Sequence, residues 1–338
     1  MARTLAKLPP DARITDYISL GVLTKTFPLE KVKSVLAATG KASRRQRDLP
    51  AHVVVYYVLA LTLYMQVSYR EVLRCLLEGI KWLLGPGWAV KVAGKSGISQ
   101  ARNRLGWEVL RRLHDEVVAP IAVRRTKGAW YRGWRLVSLD GSTLDVADSP
   151  DNEKTFGRPS ASRGTSAYPQ IRLLSLVENG THVLFGTQLG GYGHSEIGLA
   201  HQILPWLRQG MLCLGDRNFF SYDLWKKAQA TGADLVWRVK KNLRLPCEKR
   251  LADGSYLSTI YRSDKDRRQC GNGIVVRVIE YRLEGIAGAE SIYRLLTTIL
   301  DPGQAPAAEL AALYHERWEI GVSSQGHIVQ SVRDRPRP

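Results

Sequence analysis

The sequence predicts an α/β protein in which a helical N-terminal region precedes a mixed β-sheet with flanking helices. In the first 128 residues, apolar side chains recur mainly at helical spacing. From about residue 134, short runs rich in Val, Leu and Ile alternate with segments of helical apolar spacing. Strands that alternate with crossover helices form a mixed sheet covered by helices, so this change of period marks a domain boundary.

The N-terminal region contains three recognisable helix starts. Pro50 suits the first turn of a helix, and Ser68 resembles an N-cap with Glu71 at the third helical position. After a Gly-rich break, Ser99 is placed to cap a further helix over 99–118, which is rich in arginine. A helical pair with a basic second member can enter a DNA groove, although an exposed helix beside the core explains the same pattern.

The C-terminal region is predicted to contain two groups of strands. The first group has helices between its members and consists of RLVSLD, PQIRLLSLVE, THVLFGTQLG, MLCLGD and DLVWRV. The second group, at about 243–300, has no intervening helices and is typical of an inserted β subdomain. A final helix is expected to begin near Pro306. The expected domains are 1–130 and 131–320, followed by an aberrant tail over 321–338.

Positive charge is concentrated in the N-terminal region. The chain has 338 residues and a formal net charge of +18, and residues 1–130 contribute 22 Lys and Arg against 9 Asp and Glu. This imbalance favours a polyanionic partner such as nucleic acid, and the cluster Arg44, Arg45 and Arg47 suits contacts to phosphates. A solvated basic surface explains such a cluster equally well.

The sequence indicates a cytoplasmic protein without a membrane span. The longest apolar run, VVVYYVLALTLYM at 53–65, is too short to cross a bilayer and lacks the position of a signal peptide. It is expected to form a buried helix. The four cysteines form no CxxC pair and have no His at zinc spacing, which predicts reduced structural thiols.

Two aspartates are the candidate metal ligands. Asp140 in RLVSLDGST and Asp216 in LCLGDRNFF each end an apolar, strand-like run. A hard cation such as Mg²⁺ requires oxygen ligands held on rigid backbone, and two carboxylates with substrate phosphates are enough to bind one ion. We therefore expect the two carboxylates on adjacent strands of one sheet, close enough to share an ion.

A second group of candidates follows the strand DLVWRV. Trp237 is suited to stack on a displaced DNA base while Arg238 and Lys240 hold the DNA backbone. A core tryptophan with solvated neighbours accounts for the same residues.

Together these features resemble the insertion sequence 4 family of DDE transposases. Residues 49–80 are similar to the N-terminal domain of that family, and residues 135–320 resemble its RNase H-like catalytic domain. The resemblance implies that Asp140 and Asp216 are the first two catalytic acids and that both bind the metal ion.

The resemblance also extends to the signature helix of the family. Tyr314 and Arg317 match the Tyr and Arg that contact the phosphates of the transposon end in that family. A Glu and a Lys should follow on the same helix, but this sequence has Gly321 and Ile328 at those positions. Glu319 does not replace the missing acid, because it lies about 200° round a helix from position 321. The match to the family signature continues through position 320 and ends abruptly at Gly321, a pattern typical of a truncated or frameshifted element.

The resemblance implies a transposase that cleaves DNA and transfers strands at transposon ends with Mg²⁺ or Mn²⁺. Its expected partners are double-stranded DNA, including terminal inverted repeats and target DNA, and a second copy of the chain on paired ends. Its expected location is the nucleoid, and loss of the third acid predicts impaired cleavage. The alternatives are a non-catalytic DNA-binding remnant and an RNase H-like metal-dependent nuclease, of which the nuclease explains the basic N-terminal region less well.

Overall fold

The computed structural model describes residues 20–44, 49–64, 67–84, 93–159, 168–282 and 292–316. The chain divides into two compact units, Met1–Val118 and Ala119–Pro338. Every described element of the first unit is a helix, as predicted, and the second unit contains both strands and helices.

The described part of the N-terminal unit contains six helices around one apolar core. They are α1 (Leu20–Thr26), α2 (Leu29–Ala38), α3 (Ala51–Leu63), α4 (Tyr69–Leu84), α5 (Lys95–Leu105) and α6 (Glu108–Val117). Helix α3 begins directly after Pro50. At the start of α4, the Ser68 hydroxyl accepts a hydrogen bond from the Glu71 N–H of the first turn, at 3.2 Å. Both predicted helix starts are therefore confirmed.

One predicted helix of this unit is wrong. The segment 99–118 forms the end of α5 and the whole of α6, because Gly106 at φ 72° turns the chain between them. A left-handed φ of this kind suits glycine and ends a helix. Helix α5 starts after Gly94, so Ser99 lies inside the helix instead of capping it.

The C-terminal unit is built on a ten-stranded sheet. The strands are β1 (Trp130–Tyr131), β2 (Trp134–Asp145), β3 (Gln170–Glu178), β4 (Leu184–Gly191), β5 (Met211–Gly215), β6 (Asp234–Arg238), β7 (Lys249–Arg250), β8 (Tyr256–Ile260), β9 (Ile274–Tyr281) and β10 (Tyr293–Thr297). The order is β4-β3-β2-β5-β6-β10-β9-β8-β7, with β1 paired to β2. Strands β2, β5 and β6 are parallel neighbours, and the other pairs are antiparallel. The predicted mixed sheet is confirmed.

Strands β7 to β10 extend the sheet instead of forming a separate layer. Strand β10 pairs with β6 through Leu295 and Arg238, and β9 and β8 follow in order. The strand-rich segment predicted as an insertion is thus continuous with the sheet that carries the two aspartates.

The two faces of the sheet are covered by different helices. The described helices of this unit are α7 (Pro150–Phe156), α8 (Glu196–Ile203), α9 (Tyr222–Gln229), α10 (Asp264–Arg268) and α11 (Ala307–Glu316). On one face, called here the α11 face, Tyr314 of α11 shares a buried apolar cluster with strand residues Leu136, Leu212, Leu214, Val236, Ile279 and Leu295. On the opposite α9 face, Trp225 packs edge-to-face on Trp237, with ring centroids 5.3 Å apart.

Within the described residues, no helix has the length and apolar character needed to cross a membrane. The apolar run at 53–65 forms most of α3, in which Val53 to Tyr57 are buried in the core of the N-terminal unit. This agrees with the prediction of a buried helix.

Candidate metal and DNA site

Asp140 lies within β2, and Asp216 directly follows the last residue of β5, the parallel neighbour of β2. The pairing of β2 with β5 sets Ser138 opposite Leu214, and each aspartate is two residues further along its own chain. Neighbouring strands are about 4.8 Å apart. Asp140 and Asp216 therefore lie at the same end of the β2–β5 pair.

Both aspartates also belong to the same face of the sheet. Side chains alternate between the two faces along a strand, and Leu136 and Leu214 are both part of the apolar cluster under α11. Asp140 lies four residues after Leu136, and Asp216 lies two residues after Leu214. Both residues are partly buried, and their spacing from Leu136 and Leu214 assigns both carboxylates to the α11 face.

The prediction that a strand ends at Asp140 is wrong. Strand β2 continues to Asp145, and its antiparallel pairing with β3 sets Asp140 opposite Ser175. Only the parallel pairing with β5 stops before Asp140. The carboxylate is therefore held within a paired strand, which is a more rigid support than a loop.

The chain turns sharply after Asp216 and exposes two polar side chains. The Arg217 N–H donates to the Asp216 carboxylate, and the Phe219 N–H donates to the Asp216 carbonyl at 3.0 Å. Phe219 is buried at the end of this turn, whereas Arg217 and Asn218 are exposed.

A basic cleft adjoins this turn. It has a volume of about 420 Å³ and is lined by Arg217, Asn218, Val239, Lys240 and Lys241. Its two lysines follow β6 directly and are exposed. The cleft thus places cationic side chains next to the second aspartate, in an arrangement that suits phosphate groups. Local sequence does not indicate this position of Arg217, because the end of β6 comes to lie beside it only in the folded sheet.

Trp237 does not lie where it can stack on DNA. Its side chain is 0% exposed and packs on Trp225, and a Cβ at Gly215 would lie only 2.8 Å from its ring. Alternation along β6 turns Trp237 to the α9 face, away from both aspartates. The expectation of base stacking is corrected in favour of a core tryptophan.

Arg238 is also buried, but on the α11 face. Only 6% of the residue is exposed, and the guanidinium lies 4.7 Å from the centroid of the Tyr293 ring. Tyr293 stacks on Tyr281, and His315 packs edge-on against both rings. Burial, together with the charge of Arg238, lowers the pKa of His315. Arg238 therefore braces the end of α11 against the sheet, and the expectation that it holds the DNA backbone is corrected.

Tyr314 is fully buried in the cluster between α11 and the sheet. A side chain with 0% exposure does not reach a DNA phosphate in this structure, so the expected phosphate contact is corrected. Arg317, Gly321 and Ile328 lie outside the described residues.

Two polar clusters that the sequence did not reveal hold α11 in place. Asp253 accepts the Ala307 N–H at 2.8 Å at the start of the helix and pairs with the fully buried Arg277. Burial raises the pKa of Asp253, but hydrogen bonds from Ser255 and Ala307 and the charge of Arg277 lower it to below its usual value. Further along, Glu309 pairs with Arg132 at 3.0 Å.

In the N-terminal unit, Arg44 borders a basic pocket. The pocket has a volume of about 240 Å³, and its cationic lining residues are Lys41, Arg44 and Arg104. The Lys41 ammonium donates to the Arg104 carbonyl at 3.3 Å. Arg45 and Arg47 lie outside the described residues.

Among the residues that the structure describes, no three His, Cys, Asp or Glu side chains come together as a metal-binding group. Asp140 and Asp216 are thus a pair of carboxylates without a third described protein ligand. Two carboxylates suit an ion that completes its coordination with water and phosphate oxygens.

Comparisons with known proteins show that the chain is similar to transposases. Residues 17–115 match the family described as insertion element 4 transposase N-terminal, and residues 132–320 match the transposase DDE domain. The second match and the mixed sheet confirm the expected RNase H-like class of the C-terminal unit.

Two relatives from Escherichia coli strain K12 are similar to most of the chain. The transposase InsG for insertion sequence element IS4 is 27% identical over 296 residues, which cover 86% of this chain and 64% of InsG. The putative transposase InsZ is 25% identical over 283 residues, which cover 83% of each chain. The matched segment therefore spans less than two thirds of the length of InsG.

Proposed function

Because the chain belongs to the transposase DDE domain family, of the insertion element 4 type, we propose that it acts on the DNA ends of an insertion sequence. The proposed reaction is metal-dependent cleavage of a phosphodiester, followed in the intact system by strand transfer. The observation that carries this proposal is the alignment of Asp140 and Asp216 beside the basic cleft.

The donor set suits one Mg²⁺ or Mn²⁺ ion. Asp140 and Asp216 would hold it, since both ions accept carboxylate oxygens and retain positions for water and phosphate. Such an ion, when bound, stabilises negative charge on the phosphodiester oxygens and makes a bound water more acidic.

The side chains around the pair have separate tasks. Arg217, Lys240 and Lys241 bind backbone phosphates and thereby orient the DNA next to the carboxylates. The Arg217 N–H fixes the orientation of the Asp216 carboxylate by donating to it. Contacts to phosphates require that the cleft is open to solvent. This condition is met, because Lys240 and Lys241 are exposed.

We further propose that cleavage by this chain is impaired. Gly321 stands at the position where the family has the third acid, and no third described carboxylate joins the pair. A two-metal site would therefore lack one protein ligand, while binding of one ion and of DNA would persist.

The N-terminal unit is proposed to bind duplex DNA through its basic surface. Residues 1–130 have a net charge of +13, and Arg44, Lys41 and Arg104 border one pocket. Neutralising phosphates releases counterions, so affinity should fall steeply with salt. Pairing of two ends by two copies of the chain, on DNA in the nucleoid, is part of this proposal.

A plasmid assay tests the catalytic part. Supercoiled plasmid carrying the ends of the element is incubated with the chain in Mg²⁺ or Mn²⁺, and nicked circles are quantified for the unaltered chain and for Gly321→Glu. We expect near-background nicking by the unaltered chain and a partial gain in Gly321→Glu, which is lost again when Asp140→Ala or Asp216→Ala is added. Robust nicking by the unaltered chain that needs Asp216 would show that another residue supplies the third ligand.

A non-catalytic DNA-binding remnant is the second candidate, favoured by Gly321 alone. This candidate function predicts specific binding to the DNA ends of the element, and no metal-dependent nicking by any of these variants. A salt series on a short duplex containing one element end, compared with a scrambled duplex, separates both functions from a protein that does not bind DNA. A flat salt response would contradict both.

A further inference from the structure

We infer that Arg294 is a positioning residue for the basic cleft, an inference that rests on the proposed function. Arg294 lies on β10 and is about four-fifths buried, with 19% of its side chain exposed. Its Nη1 group donates to the carbonyls of Lys241 and Leu243 at 3.2 and 3.0 Å. The guanidinium thus grips the backbone of the loop whose lysines line the cleft.

The loop is a short turn that backbone hydrogen bonds also hold. The Val239 N–H donates to the Arg294 carbonyl at 3.0 Å, and the Leu243 N–H donates to the Lys240 carbonyl at 3.1 Å. The side chain and the carbonyl of one residue, Arg294, therefore hold both ends of the turn. The Lys240 and Lys241 side chains stay exposed because the grip is on the backbone.

Arg294 is oriented in turn by the neighbouring strands. Its Nε and Nη2 groups both lie 2.8 Å from Glu280 Oε1 on β9, and the Tyr256 hydroxyl of β8 donates to the same oxygen at 3.0 Å. Contacts from all three nitrogens of the guanidinium give it a defined orientation. Strands β8 to β10 thus form a brace, consisting of Tyr256, Glu280 and Arg294, that ends on the DNA-facing loop.

The brace influences DNA binding through the position of the loop that carries Lys240 and Lys241. Leu295 belongs to the cluster on the α11 face, so alternation places the Arg294 side chain on the α9 face, opposite to Asp140 and Asp216. Arg294 therefore contacts neither carboxylate, and its contribution to DNA binding is the position of Lys240 and Lys241.

A double-mutant cycle tests this inference on the full chain. Binding to a short duplex is measured by fluorescence anisotropy for Lys240→Ala, Arg294→Ala and the double variant. In the unaltered background, Lys240→Ala should weaken binding by on the order of five- to ten-fold and lower the salt slope by about 1. In the Arg294→Ala background, the same change should have little further effect, because the lysine is no longer held in place.

Two further variants separate position from charge. Arg294→Lys keeps the charge but cannot reach Glu280 and two carbonyls together, so it should weaken DNA binding nearly as much as Arg294→Ala. Arg262→Ala is the matched control, since it removes an arginine of the same unit that pairs with Asp223 at 3.2 Å and is well exposed. It should leave the effect of Lys240→Ala unchanged. Glu280→Gln provides a milder disturbance of the brace, and circular dichroism verifies that each variant is folded.

Additive effects of Lys240→Ala and Arg294→Ala, or wild-type binding by Arg294→Lys, would overturn the inference and leave the proposed function intact. If Lys240→Ala, alone and with Lys241→Ala, changes neither affinity nor salt slope, the cleft does not bind DNA. That outcome would overturn both the inference and the proposed role of the cleft.

Discussion

The two halves of the sheet hold their functional residues in different ways. In the carboxylate half, strands β4, β3, β2 and β5, backbone pairing brings Asp140 and Asp216 to the same end of two adjacent strands, over apolar side chains. In the arginine half, strands β6, β10, β9, β8 and β7, three largely buried arginines hold α11 and the basic loop: Arg238, Arg277 and Arg294. Strand register tolerates most single substitutions, whereas a buried arginine has several partners that lose their bond together. The arginine half should therefore be the more sensitive to mutation.

Arg277→Ala is expected to have the largest effect on stability. The substitution removes the guanidinium that bonds the Ile299 and Ala305 carbonyls and pairs with the Asp253 carboxylate, which then keeps only its bonds from Ser255 and Ala307. We expect a loss of about 3–5 kcal/mol in the free energy of unfolding, measured by urea denaturation followed by tryptophan fluorescence. Asp140→Asn is the comparison from the carboxylate half. A loss of less than about 1 kcal/mol would break the distinction between the halves.

Gly215→Ala tests how closely the Trp237 ring packs against β5 on the α9 face. A Cβ at this position would lie 2.8 Å from the Trp237 ring, inside van der Waals contact. Overpacking of a core usually costs about 1–3 kcal/mol, and thermal unfolding should show this loss. Gly133→Ala, where a Cβ meets nothing within 4 Å, is the matched control. Equal stability of the two variants would show that the Trp237 ring moves aside freely.

Without metal, Asp140→Asn and Asp216→Asn should change the free energy of unfolding little. With Mn²⁺ present, each variant should lose the stabilisation that the ion gives to the unaltered chain. A ligand at ten times its Kd stabilises the native state by about 1.4 kcal/mol. We expect Mn²⁺ to raise the unfolding free energy of the unaltered chain and not that of either variant. Asp145→Asn, further along β2, provides the control. Mn²⁺ stabilisation that survives in Asp216→Asn would place the ion elsewhere.

Tyr256→Phe should have the smallest effect, and one that depends on pH. Burial and the neighbouring Glu280 raise the pKa of Tyr256 to about 12. Because the folded pKa exceeds the unfolded value near 10, the tyrosine's contribution is complete below about pH 10 and is lost as the pH rises towards 12. The variant should be less stable by about 0.5–1.5 kcal/mol at pH 8. This difference should shrink between pH 10 and 12 in urea titrations; a constant difference would contradict the raised pKa.

Much of the fold was predictable because its signals are local. The five strands of the first group, helix α3 and the helix after Pro306 all follow from apolar spacing and proline position. The helix break at Gly106 has no such local signal, because apolar spacing does not show that this glycine adopts a positive φ. The extension of the sheet by β7 to β10 also depended on long-range pairing, which strand patterns do not specify.

The candidate site divides in the same way. Asp140 and Asp216 could be selected from the sequence, because an acid near the end of an apolar run is a local feature. The predicted DNA contacts of Trp237, Arg238 and Tyr314 are wrong, since all three residues are buried. The sequence does not show which face of a strand or helix is covered. Arg294 had no local signal, since its loop partners are 51 and 53 residues away.

The sequence by itself determined the class of the fold, the basic character of the N-terminal region and the pair of carboxylates, because each of these depends on residue type and short spacing. Only the tertiary structure decided that Asp140 and Asp216 are aligned, that Lys240 and Lys241 border the second of them, and that Arg294 holds their loop. Such relations arise from strand order and from contacts between distant segments. They form only when folding has overcome the entropy of closing the intervening loops, and neighbouring residues in the chain do not encode them.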